Sequence, residues 1–433
     1  MKRALIITYY WPPAGGPGVQ RWLKFVKYFR EFGVEPIVYV PKNPSYPLLD
    51  SNFKSEIPAD ITIIKHPIKE PYRFAGLLSK KKTKQISGGI LPNKKSSSLE
   101  KLMLYVRGNF FIPDARVGWV KPSVKFLTEY LKENPTDVII TTGPPHSLHL
   151  IGMQLKYQSD TPWLADFRDP WTTIHYHKSL RLNKSSEKKH KALEAKVLSS
   201  ADLVTVTSPT TKKEFQELTK TTIEVITNGF DISEKKVSEL DSDFSLAHIG
   251  SLLSERNPKV LWKVLSELCN ENAAFKTDLK LKFAGVVSEE VNKSLEDFNL
   301  LSNCKFIGYV AHSEVLIMQQ QSQVLLLVEI DRPETRAIIP GKIFEYLAAR
   351  RPIIALGPMG SDIEGVVNET QSGNFFDYSS ESKLKSKILD LYESYKNGKL
   401  AINSQNIDKY SRRGLTEKMA AVISNLSKIN KLK

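Results

Sequence analysis

Nine short apolar runs constrain this chain more than any other feature. Five precede residue 210 (residues 4–9, 36–40, 137–141, 163–167 and 201–206), and four follow residue 244 (245–250, 279–285, 324–328 and 352–356). Short, continuous apolar runs are what strands covered on both faces require. Helical patterns lie between them. Trp22, Phe25, Val26 and Phe29, for example, recur at i, i+3, i+4 and i+7 and make one apolar helix face. Strands alternating with helices predict a parallel, doubly wound α/β sheet. A polar stretch from Asn228 to Asp243 carries no such periodicity, and the alternation restarts after it.

Two Rossmann-like domains facing a cleft are therefore expected: an N-terminal domain over 1–230, a linker over 231–244 and a C-terminal domain over 245–408. A final segment, 409–433, reads as a helix whose apolar face is Leu415, Met419, Val422, Ile423 and Leu426. The length of 433 residues suits this, at ~150 residues per domain. Ligands of such folds bind beyond the carboxyl ends of the strands.

No stretch reaches the ~18 apolar residues that suggest a membrane span. The apolar run at the N-terminus stops at Thr8 and is followed by Pro12-Pro13, so it is too short for a signal peptide. Cys269 and Cys304 form neither a disulfide framework nor a metal motif, which fits a reducing cytoplasm. Net charge is +15, and 37 of the 62 Lys and Arg fall in residues 1–240 against 23 of the 47 acids. Within 73–121 there are 11 basic and 2 acidic residues. That excess, interleaved with Leu102, Leu104, Tyr105, Val106, Phe110 and Phe111, is either a solvated basic loop or a surface for something anionic.

Five segments carry candidate chemistry. In Pro340-Gly341-Lys342-Ile343-Phe344-Glu345, Pro340 suits a helix start and Gly341 admits a ligand close to the backbone. The first-turn amides of that helix favour a diphosphate. Lys342 and Glu345 share a face, one cationic and one able to accept from a ribose diol; a surface ion pair is the alternative. Gly250 ends a strand, and Arg256 and Lys259 follow it at a helix entrance suited to phosphate oxygens. Gly15-Gly16-Pro17-Gly18 after the first strand is neither GxGxxG nor a P-loop, so it marks only a flexible backbone. His146 and the group Asp166, Arg168 and Asp169 follow further strands. Those charges need partners or a ligand, and a purely structural network competes evenly with a binding role.

Taken together, Tyr9-Tyr10-Trp11-Pro12-Pro13, Thr142-Gly143-Pro144-Pro145-His146, Asp166-Phe167-Arg168-Asp169-Pro170-Trp171, Thr227-Asn228-Gly229-Phe230-Asp231 and the Pro340–Ala348 segment resemble the GT-B glycosyltransferases of the retaining family 4 type (glycosyl transferases group 1) over nearly the whole length. The resemblance implies a nucleotide-sugar held by the C-terminal domain. Glu345 would bind the ribose, with Arg256, Lys259 and Lys342 near the diphosphate and Gly250 and Gly341 beside it. Gly16 and His146 would lie near the reaction centre. The N-terminal domain would bind a glycan or lipid-linked acceptor near Asp166, Arg168 and Asp169, and the final helix would cross back onto it.

One departure from the family pattern is Ala337, which stands where the first glutamate of the E-x7-E signature belongs. Cofactors and metals are not expected, because Arg256, Lys259, Lys342 and a helix N-terminus can stabilise the leaving diphosphate. Nucleic acid is not an expected partner, since no helix-turn-helix, zinc or RNP signal is present. A cytoplasmic protein with a peripheral contact on the inner membrane face, in cell-surface polysaccharide or glycoconjugate synthesis, is the expectation. The rivals are a GT-B-type nucleotide-sugar epimerase or hydrolase, which needs cleft carboxylates, and a non-catalytic basic binding protein.

Overall fold

The computed structural model describes residues 1–70, 98–231 and 239–429. It divides into two compact units, one of residues 1–228 with 412–433, the other of residues 229–411.

The first unit is built on a seven-stranded sheet in the order β3-β2-β1-β4-β5-β6-β7. Its strands are β1 (Lys2–Ile7), β2 (Val34–Pro41), β3 (Thr62–His66), β4 (Val138–Gly143), β5 (Trp163–Phe167), β6 (Leu203–Val206) and β7 (Ile223–Val225), all parallel. One layer covering it includes the helix Pro17–Tyr28 and the C-terminal helix Arg412–Ile429, which pack together. The helical spacing read in the sequence is the buried stripe: Trp22 and Phe29 are fully buried, as are Met419 and Ile423 opposite them in the same core. Thus the chain's last helix returns to the first unit. On the other side, Trp119, Leu127, Leu148, Ile151 and Trp163 fill a second core.

The second unit carries a six-stranded parallel sheet in the order β10-β9-β8-β11-β12-β13. Its strands are β8 (Phe244–Ile249), β9 (Leu279–Ala284), β10 (Cys304–Gly308), β11 (Val324–Val328), β12 (Ile353–Leu356) and β13 (Gly373–Phe376). Two cores flank it, one around Trp262, Phe275 and Leu326, the other around Phe344, Tyr346 and Leu347. In each unit one half of the order runs outward from a central pair, β1/β4 and β8/β11. Loops beyond the carboxyl ends of these central strands are where side chains from distant segments converge.

Among the described residues no helix is long and apolar enough to cross a membrane. Much of the basic stretch noted in the sequence, including Lys80–Lys82 and Lys94-Lys95, lies outside the described residues. The helix Ser98–Phe110 within it is described. Leu104 and Gly108 turn inward, whereas Leu102, Tyr105, Val106 and Phe110 remain exposed along one stripe.

Candidate functional site

In the second unit β8 is followed by Gly250, whose φ of +117° is a conformation side chains rarely take. A Cβ at this glycine would lie 2.9 Å from Lys342 Nζ, so the residue both turns the chain and leaves room for the ammonium. Lys342 opens the helix Lys342–Ala349, and its Nζ lies 3.2 Å from His248 Nε2. His248 Nδ1 lies 3.1 Å from the Leu326 carbonyl and must donate to it, which leaves Nε2 as the acceptor for the ammonium. Burial, helped by the Lys342 charge, holds the His248 pKa well below its usual value, so the ring is neutral. Burial also brings Lys342 down to about 8; Arg256 adds to this, while Glu329 and Glu345 oppose it.

Arg256 closes the cluster. Its Nε and one terminal nitrogen lie 3.0 and 2.9 Å from Glu329 Oε1, which also accepts from the Ile330 amide at 2.8 Å. Glu329 follows β11 directly and its side chain has no exposure, yet Oε2 is buried with no partner among the described residues. Arg256, Lys342, Gly250, His248 and Glu329 therefore meet at the ends of β8 and β11. Two cations meet here, Arg256 bonded to the buried Glu329 and Lys342 in the field of Glu329 and Glu345, and both are groups of the kind that bind a phosphate.

The other expected residues of this unit sit apart. Glu345 is turned to the neighbouring helix His312–Gln321, where Oε2 accepts from Gln319 at 3.0 Å and Oε1 is 4.0 Å from His312. Lys259 is exposed at the start of its helix. Gly341 has an ordinary helical φ of −55°, and a Cβ there would meet nothing, so its backbone needs no glycine.

In the first unit the outcome for Asp166 is a correction. Both carboxylate oxygens are fully buried and fully bonded. Oδ1 accepts from Arg21 and Thr205, each at 2.8 Å, and Oδ2 from Arg21, Trp22 and Thr142 at 3.2, 2.8 and 2.9 Å. Burial alone would raise its pKa; the Arg21 guanidinium and these bonds outweigh burial and hold it below the usual carboxylate range. A group with every lone pair engaged inside the core cannot meet an acceptor, so Asp166 ties strands to the helix Pro17–Tyr28 instead.

Arg168 joins three loops. It donates to the Gly18 carbonyl at 2.8 Å, to Gly143 at 3.3 Å and to Pro144, and it lies 5.7 Å from the centroid of the Tyr10 ring. Asp169 is partly exposed and already takes part in interactions within the fold. Gly16 has a φ of +86° and caps the helix Pro17–Tyr28. His146 is 7% exposed and stacks on Trp171 with centroids 5.1 Å apart. Burial, with neighbouring His149 and Arg168, keeps it neutral.

Sequence reasoning missed Glu329, Arg21 and His149. Glu329 had a usable signal: a single acid directly after five apolar residues of a buried strand. Arg21 had none, because its partner is 145 residues away.

Comparison with known proteins names the fold. Residues 230–413 match the family described as glycosyl transferases group 1, and residues 90–234 match glycosyltransferase family 4. No curated protein matches the chain in sequence. Among solved structures, the lipopolysaccharide outer core galactosyltransferase WaaB in apo form is similar at 13% identity and a TM-score of 0.56, covering 100% of both chains. The sucrose-phosphate synthase of Thermosynechococcus elongatus has 12% identity and a TM-score of 0.56, covering 100% of this chain and 98% of its own. A mutant of S. aureus TarM, in complex with Fondaparinux, alpha-GlcNAc-glycerol and UDP, has 12% identity and a TM-score of 0.53, covering 98% of this chain and 100% of its own. At these identities the solved structures speak for the fold, and the two family matches speak for the chemistry. With both units Rossmann-like, residues 90–234 matching glycosyltransferase family 4 and residues 230–413 matching glycosyl transferases group 1, the chain is a GT-B glycosyltransferase.

Proposed function

We propose that this glycosyltransferase takes a sugar from a nucleoside diphosphate donor and moves it, with retention and without a metal ion, to a hydroxyl of a glycan or lipid-linked acceptor in cell-surface polysaccharide or glycoconjugate synthesis. The observation that carries this reading is the Arg256–Lys342 pair, two cations brought together at the ends of β8 and β11 with Arg256 bonded to the buried Glu329. The diphosphate gains negative charge as the bond to the anomeric carbon breaks. Arg256 and Lys342 supply fixed positive charge where that develops, the role that Mg²⁺ fills elsewhere. Glu345 would take the ribose diol, in exchange for or beside its bond to Gln319.

Retention follows if the acceptor oxygen enters on the face the phosphate leaves. The acceptor O–H proton then passes to the departing phosphate oxygen as the new C–O bond forms. No side-chain base is needed, which suits a chain whose buried carboxylate Asp166 is fully bonded. Ala337 means that the sugar hydroxyls are met without the first glutamate of the family signature.

The exposed stripe of Leu102, Tyr105, Val106 and Phe110, set in a basic segment, supports a peripheral contact with an anionic bilayer. A thermal-shift panel of UDP-, GDP-, ADP- and TDP-sugars tests the donor assignment. A true donor at 100 times its dissociation constant adds ~2.7 kcal/mol of stability. No response from any nucleotide would refute it. Rapid turnover of donor without any acceptor would replace transfer by hydrolysis or epimerisation.

A further inference from the structure

The loop that follows β5 is gripped by two buried side chains of one helix. Lys184–Ser200 brings His190 and Glu194 to the same face, one helical turn apart and each 1% exposed. Glu194 takes the backbone of the loop. Its Oε1 accepts from the amides of Trp171 and Thr172 at 3.0 and 3.1 Å, and its Oε2 accepts from the Thr172 hydroxyl. His190 takes the side chain, with Nδ1 3.1 Å from the indole Nε1 of Trp171. An indole nitrogen only donates, so Nδ1 is the acceptor and the imidazole proton sits on Nε2. That Nε2 lies 3.1 Å from the Gly108 carbonyl, which only accepts, so both contacts demand the same tautomer. Burial keeps the His190 pKa below its usual value, against the Gly108 bond and Asp114, and the ring is neutral.

Trp171, held in this way, lies flat on His146. The two ring centroids are 5.1 Å apart and the planes 4° from parallel, with the indole 2% exposed. His146 also stacks on Phe167, at 5.7 Å. Nδ1 of His146 is buried without a hydrogen-bond partner among the described residues, so its stacking neighbours set the plane of the ring rather than a bond at that nitrogen. Phe167 is fixed as the last residue of β5. Trp171 stands in a loop outside helices and strands, where the place of its ring depends on what grips it.

The geometry points to His190 and Glu194 as positioning residues for the transfer reaction: through Trp171 they hold the His146 ring in the plane it presents to a ligand. This rests on the reading of the chain as a transferase with His146 near the reaction centre. His146 stands beyond the carboxyl end of β4 and keeps 7% exposure. At 1% exposure His190 and Glu194 meet no substrate and act only through Trp171.

The test is NMR of the ligand-free full chain, labelled in tryptophan and histidine, with Trp171 and His146 assigned from the signals lost in W171F and H146Q. H190N leaves an acceptor in place of Nδ1 but gives up the Gly108 bond, H190F removes both, and E194A releases the loop. In the wild type the Trp171 indole proton should resonate at the low field of a bond to imidazole, and the His146 ring C–H protons should be moved upfield by the indole. H190N should keep both signatures and H190F should lose both; E194A should lose the second. Unshifted His146 protons in the wild type, or wild-type shifts in H190F and E194A, overturn the proposal. So does an H190N spectrum without the signatures, which would assign the effect to the Gly108 anchor. The wild-type and H190N spectra decide if H190F and E194A do not fold.

A second arm uses the nucleotide-sugar that responds in the thermal-shift panel. Release of its sugar to water should fall about tenfold or more in H190F, in kcat rather than KM, and recover in H190N. An unchanged kcat beside altered spectra overturns the positioning role and leaves the transferase reading intact. If no nucleotide responds, that reading fails, and the spectra still decide whether this helix holds His146.

Discussion

Lys342 gives the sharpest prediction, because its charge is both expensive and useful. With a folded-state value near 8 against 10.5 in the unfolded chain, its ammonium is held at a cost of about 3 kcal/mol at neutral pH. The sign follows from the depressed value: raising the pH through 8 removes the cost in the folded protein first, so this residue favours folding more at pH 10 than at pH 7. Replacement by methionine keeps the stem and removes the charge. Lys342→Met should therefore raise ligand-free stability at pH 7 while weakening nucleoside diphosphate binding.

The pH profile isolates the charge. With a value of about 8, roughly nine in ten molecules carry the ammonium at pH 7 and roughly one in ten at pH 9. The affinity for a nucleoside diphosphate, measured by calorimetry with the nucleotide found active in the thermal-shift panel, should fall about tenfold across that interval. In Lys342→Met the profile should be flat. Glu329→Gln removes the anion that supports the ammonium and should move the midpoint to lower pH. An equal fall in wild type and Lys342→Met would refute the reasoning, since some other group would then be titrating.

Other outcomes follow from single contacts. Asp166→Asn leaves the buried Arg21 guanidinium without its counter-charge and should lower unfolding free energy by about 3 kcal/mol or more in urea titrations; a loss under about 1 would show that the pair is dispensable. Gly250→Ala forces a side chain into a φ of +117° and against Lys342 Nζ, so it should cost about 1–3 kcal/mol in stability and weaken nucleotide binding as well. Replacing Leu102 and Phe110, 57% and 72% exposed, by serine should reduce sedimentation with vesicles rich in anionic lipid while leaving the melting temperature unchanged. Equal sedimentation of both proteins at low salt would remove this helix from any membrane contact.

The interior of each sheet was legible in the sequence because a strand covered on both faces must be apolar throughout. β1, β2, β4, β5 and β6, and likewise β8, β9, β11 and β12, all coincide with the nine apolar runs. The four strands not foreseen, β3, β7, β10 and β13, are the four sheet edges. Edge strands are half exposed, as in Cys304–Gly308, where Lys305, Phe306 and Gly308 face solvent, so no continuous apolar run marks them. The final helix was legible for the same reason as the first: its buried stripe repeats at helical spacing whatever it packs against.

Local sequence also determined where cationic residues follow strands, and so which segments could meet a phosphate. It could not decide between a ligand site and a structural network, because that depends on partners remote in the chain. Asp166 and Arg256 looked alike as charges beyond a strand. Only tertiary structure showed Asp166 surrounded by Arg21, Trp22, Thr142 and Thr205, and Arg256 bonded to the buried Glu329 beside Lys342. The periodicity of burial is a property of neighbours in sequence. The satisfaction of a buried charge is a property of neighbours in space, and the fold alone supplies those.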